Sequence, residues 1–177
     1  MLSRELGALL GALNELERPV ARWIAPGSSS SRVAEHLGPQ VPEEVVTWFG
    51  WCGGIEIHPG QDQGSTNMIP GYAPVSLDEA VGLKPAYAGD PVLGEHWVPV
   101  LVGGGADMYA AVWEPGGAPA VAGVLKGEPT EVEFPSLGRM VSFFNRCYSA
   151  GAFYVRGDGC LETDHEQQDE LYSESFA

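Results

Sequence analysis

Basic side chains are scarce in this sequence: nine Lys and Arg stand against 24 Asp and Glu, giving a formal charge of −15 over 177 residues. A field of that sign repels nucleic acid, anionic lipid and acidic substrates, so direct nucleic-acid binding is disfavoured. The same field speeds the encounter with a basic protein, although acidity that only keeps the chain soluble is an equally weighted reading. Cysteine is scarce too. Cys52, Cys147 and Cys160 are an odd number at wide spacings, which suits reduced thiols in a cytoplasm better than a disulfide framework. No stretch approaches the roughly 20 apolar residues that span a bilayer, and the most apolar run, Trp97 to Val102, stops at three glycines. The start, Met1-Leu2-Ser3-Arg4-Glu5, lacks the basic, apolar and small-residue regions of a secretory signal. The expectation is a cytoplasmic protein with no membrane partner.

Chemistry-bearing patterns are equally sparse. Gly103-Gly104-Gly105 is followed by neither Lys-Ser nor Lys-Thr, and the next residues read as a strand. It is therefore read as a hairpin turn in which Asp107 bonds its own backbone, and not as a phosphate loop. His36, His58, His96 and His165 stand far apart, and no cysteine pair has the C-x-x-C spacing of a zinc site. There is no G-x-S-x-G elbow. Glu43-Glu44 reads as helix-start electrostatics and Glu131-x-Glu133 as one solvent face of a strand. The chain is expected to be non-catalytic, with no cofactor and no metal.

What is present is the material of one folded domain: 44% hydrophobic residues, five Trp, six Tyr and six Phe. Leu2, Leu6, Leu9, Leu10, Leu13, Leu16 and Val20 recur at mostly three- and four-residue steps, which predicts an amphipathic helix within residues 1–25, capped by Ser3 and ended or kinked by Pro19. A short helix through Val33 and Leu37 stops at Gly38-Pro39, and another starts at Pro42-Glu43-Glu44. Residues 55–68 read as a short strand and a loop. Ser76 with Glu79 is a capping pattern that opens a further helix.

From Trp97 the period changes to two, over Trp97–Val102, Met108–Trp113, Ala120–Leu125 and Glu131–Phe134, as in an antiparallel meander. Ser136 then starts a helix with Leu137, Met140, Val141, Phe144, Cys147 and Tyr148 on one face. The tail, residues 157–177, is strongly acidic and reads either as a final strand and helix or as partly disordered. The order helices, meander, helix predicts an α+β single domain, a mainly antiparallel curved sheet flanked by helices.

Trp48-Phe49-x-Trp51 places Trp48 and Trp51 on one helical face while Phe49 turns away. Core packing is the default for such a set, with one Trp left as a partner-facing anchor. The candidate partner-binding residues are Trp48, Trp51, Asp107, Glu128, Glu131, Glu133 and Asp164.

The run Val41-Pro42-Glu43-Glu44-Val45-Val46-Thr47-Trp48-Phe49-Gly50-Trp51-Cys52-Gly53-Gly54 resembles the opening of SUKH domains, the superfamily of cell-wall assembly regulators and many bacterial toxin-immunity proteins. Ile69-Pro70-Gly71-Tyr72 with Ser76–Ala80, Trp97–Val100 leading to Gly104–Val112, and Ser136–Phe144 agree in order, so that the likeness spans roughly residues 41 to 155. The chain departs from the pattern at Ala106, at Trp51 and in its acidic tail. The resemblance implies an α+β fold without a cofactor and, for bacterial members, binding and neutralisation of a cognate toxin. The expected partner is thus a protein, a basic toxin domain. The alternative is a regulatory or scaffolding module of the cell-wall assembly regulator type.

Overall fold

Leu2, Leu6, Leu9 and Leu13 form the buried stripe of α1 (Leu2–Glu15), and that stripe packs against the last long helix, α7 (Leu137–Ala150). The computed structural model describes residues 1–176. Ser3 is not the cap: the helix begins at Leu2, two residues earlier than a Ser3 cap would start it, with Met1 in the cap position and no side chain bonded there. The chain leaves α1 at Leu16, and Pro19 starts a separate turn, α2 (Val20–Trp23), so the first 25 residues are two helices rather than one. α3 (Ser30–Leu37) is opened by the Ser29 hydroxyl, which accepts from Arg32 N–H. α4 (Glu43–Trp51) follows Pro42 and buries Val45, Trp48 and Phe49.

Residues 55–68 differ from expectation. Ile55 makes a single bridge to Ile24, and the only regular element in the segment is a helical turn, α5 (Gln63–Thr66). Asp62 and Ser65 form its capping box; the pair lacks a following apolar run, the usual sign of a helix start. The expected box at Ser76 and Glu79 is present and opens α6 (Leu77–Leu83).

The sheet is antiparallel, in the order β1-β2-β3-β4-β5, with β1 Tyr72–Pro74, β2 Trp97–Gly103, β3 Met108–Val112, β4 Ala120–Val124 and β5 Glu131–Phe134. The four expected strands are there, and β1 adds a three-residue edge ending in proline. Strand alternation sorts the side chains onto two faces. Val121, Ala111 and Phe134 join the helices in the main core. Trp97, Met108, Ala110, Val112, Ala122 and Val124 point the other way into a smaller core, closed by Leu93 and by Tyr87 and Val92. The segment between α6 and β2 therefore acts as a second cover. The fold is an α+β single domain whose sheet does not close into a barrel.

α7 is opened by Ser136, which accepts from Arg139 N–H, and buries the whole expected face together with Phe143. The acidic tail is ordered as a strand and a helix: β7 (Leu161–Thr163) pairs with β6 (Phe153–Val155), and α8 (His165–Phe176) docks on α7. Tyr172 and Phe176 pack on Phe134 and Phe143, Arg139 donates to Ser175 O at 2.8 Å, and Arg146 pairs with Glu174 at 2.8 Å. Arg18 is 4% exposed and donates to Gly64 O at 2.6 Å and Gly159 O at 2.8 Å, joining the α1–α2 link to α5 and to the β6–β7 turn. Among the described residues no helix is long and apolar enough to cross a membrane.

Candidate functional site

The two turns at one end of the sheet bring together acidic residues far apart in sequence. Gly103–Asp107 joins β2 to β3, and Leu125–Thr130 joins β4 to β5. The Asp107 carbonyl closes its own turn, accepting from Gly103 N–H at 2.8 Å, but its side chain does not: Oδ1 accepts from Lys126 N–H at 2.8 Å and ties the two turns to each other. Asp90 braces the same end, accepting from Thr130 Oγ1 at 2.6 Å and from the backbone N–H groups of Val92 and Leu93. Burial pushes the Asp90 carboxyl up, but these three bonds outweigh it and hold the group below the ordinary aspartate range. Asp107 and Asp90 are thus occupied in building the surface. Glu128 and Glu131 are exposed and make no ion pair among the described residues. Leu125, 43% exposed, and Val132, 56% exposed, neighbour them in the chain. A surface of two free carboxylates, two aliphatic side chains and the exposed Lys126 has the makings of a protein contact, with charge for steering and apolar area for contact.

The other candidates lie elsewhere. Trp48 is completely buried in the main core, which removes it as a surface anchor; the face it shares with Trp51 points inward. Trp51 is half-buried and packs on Trp48, with ring centroids 5.8 Å apart. Glu133 does not share the solvent face of Glu131. A register shift between β4 and β5 falls in this stretch, and the Glu133 carboxylate lies over Gly123, where a Cβ would collide with it. Tyr172 Oη donates to the Glu133 carbonyl at 2.7 Å. Burial pushes the Glu133 carboxyl above the ordinary glutamate range, and the nearby Tyr109 hydroxyl only partly offsets this. Burial also pushes the neighbouring Tyr72 hydroxyl up, to about 12. Asp164 is exposed but belongs to the tail, where it accepts from Gln167 N–H at the start of α8 and its own N–H donates to Ala152 O.

Near the opposite end of the sheet is a feature that no motif marks. The segment Pro91–His96 and the β3–β4 connection Glu114–Pro119 stand apart over Val112, Trp113 and Ala120, leaving an open groove of about 640 Å³. A second groove of about 660 Å³ lies on the other side of the same connection, against Gln40–Glu44 and Ser136. The two share Gly117 and Ala118. The sequence signal was slight: two prolines and two glycines between strands mark a turn, but not what the turn stands beside. No family model matches the chain, and no curated protein matches it either. Among the described residues no group of three or more His, Cys, Asp or Glu side chains is placed to hold a metal ion.

Proposed function

We propose that the chain is a non-catalytic protein-binding domain of the SUKH type, an immunity protein that acts in the cytoplasm by covering a basic toxin. The observation that carries this reading is the pair Glu128 and Glu131, exposed beside Leu125 and Val132 on a protein of charge −15. Long-range attraction brings a cationic partner in, and the apolar neighbours supply contact area once water is displaced. Neutralisation is by occlusion, with no bond made or broken.

The test is co-expression with a basic toxin domain encoded beside this gene, followed by calorimetric titration across a salt series. Growth should be rescued, a stoichiometric complex should form, and affinity should fall as salt rises. Turnover of any substrate by the purified chain would overturn the reading. Binding of a neighbouring protein that is not a toxin would favour the regulatory alternative. Tight toxin binding that survives Glu128→Lys with Glu131→Lys would remove this end of the sheet from the interface.

A further inference from the structure

The two grooves beside the β3–β4 connection have walls of one electrostatic sign. Glu95 and Glu114 line the first, Glu43 and Glu44 the second, and neither is lined by a lysine or an arginine. Glu44 is already engaged, since it accepts from Leu137 N–H at 3.0 Å. Glu43, Glu95 and Glu114 are exposed. Between the carboxylates the first groove is about half apolar, with Leu93, Val112 and Trp113 beside His96, and the second is mainly apolar, with Val41 and Pro42. This combination suits Lys and Arg, whose alkyl stems lie along apolar surface while their heads stay with solvent and carboxylate. Pro91, Pro115 and Pro119 hold the walls with fixed φ, so little order would have to be gained on binding.

Shape limits the occupant further. Each groove falls within the range of roughly 300 to 1,000 Å³ in which ligands are held, and the two meet at Gly117 and Ala118. Gly116, Gly117 and Ala118 are exposed and carry almost no side chain, so a backbone can pass over them. A folded surface would not reach into both grooves at once, whereas an extended strand sends successive side chains to opposite sides.

We infer that these paired grooves seat an extended cationic segment of the protein partner, with one basic side chain on each side of the 114–119 connection. The inference rests on the protein-binding reading and adds the location and chemistry of a contact at the end of the sheet away from Glu128 and Glu131.

The test uses the full chain and a fluorescein-labelled peptide in which adjacent lysine pairs, whose side chains point to opposite sides of an extended backbone, are separated by alanine pairs, followed by anisotropy at low salt. Glu95→Lys with Glu114→Lys is compared with Glu128→Lys with Glu131→Lys. Both double variants change the net charge equally, so general attraction to an acidic protein weakens equally in each. Binding should fall by about tenfold or more in the first and by less than about threefold in the second. Ala118→Trp, which fills the junction without altering charge, should weaken binding comparably, with circular dichroism confirming that each variant folds. Equal losses in the two double variants, or unchanged binding by Ala118→Trp in a folded protein, would overturn the grooves as the seat while leaving the protein-binding reading standing. A wild-type chain that does not bind the peptide also overturns the inference. The protein-binding reading fails separately, when the toxin experiment gives neither rescue nor a complex.

Discussion

The Glu44 carboxylate accepts the backbone N–H of Leu137 at 3.0 Å and of Gly138 at 3.4 Å, so a residue at the start of α4 caps the start of α7, 93 positions further along the chain. These are two of the donors that a helix leaves without partners in its first turn, and a negative charge there also meets the positive end of the helix. Glu44→Ala should cost about 1 to 2 kcal/mol in urea unfolding, whereas the exposed neighbour Glu43→Ala should cost no more than about 0.5 kcal/mol. Equal effects at the two positions would show that the contact contributes nothing.

Gly53 supplies a steric test. Ala25 and Pro26 run so close to the end of α4 that a Cβ at Gly53 would collide with the Pro26 carbonyl oxygen. Gly53→Ala is expected to destabilise by about 1 to 3 kcal/mol, the usual penalty of overpacking. Gly7 lies on the exposed side of α1 with open space around it, and Gly7→Ala should stabilise by about 0.5 to 1 kcal/mol. Thermal melts of the two variants should move in opposite directions.

The thiols divide by burial. Burial pushes Cys52 up to about 11 and Cys147 up to about 12, while Cys160 is exposed. At neutral pH the native protein should release one equivalent of thionitrobenzoate from Ellman's reagent promptly, and the remaining two only on unfolding. Three fast equivalents would contradict the packing described for α4 and α7.

Glu133 predicts a pH dependence. Its carboxyl is raised in the folded protein by burial first of all, so the fold favours the protonated form. The associated stability is fully present below the ordinary glutamate value of 4.5 and is lost as pH rises through the raised one. Glu133→Gln stays neutral throughout, so its melting temperature should gain on that of the wild type between about pH 4 and about pH 7. A difference that shrinks over this range would place the carboxylate in solvent.

How much of this could be read in advance follows the range of the physics. The capping box at Ser76, the Leu stripe of α1 and the buried face of α7 are local patterns, and each was legible. β1 was not, because three residues ending in proline carry no period and become a strand only when β2 lies beside them. The positions of the acidic side chains were the least legible. Glu128, Glu131 and Glu133 look alike in the sequence, yet two face water and one sits under tyrosines, because a shift in register between β4 and β5 decides it. Trp48 and Trp51 pose the same difficulty, since helical spacing says that they share a face but not that the face points inward.

The guanidinium of Arg18 has a consequence for how the molecule comes apart. Its two carbonyl partners belong to α5 and to the β6–β7 turn, so loss of the carboxyl-terminal hairpin strips a buried cation of one acceptor, and loss of the amino-terminal helices leaves both carbonyls without their donor. The two ends of the chain are thereby coupled through one side chain, and a fragment lacking the carboxyl-terminal hairpin would keep Arg18 with the Gly64 carbonyl alone to hold.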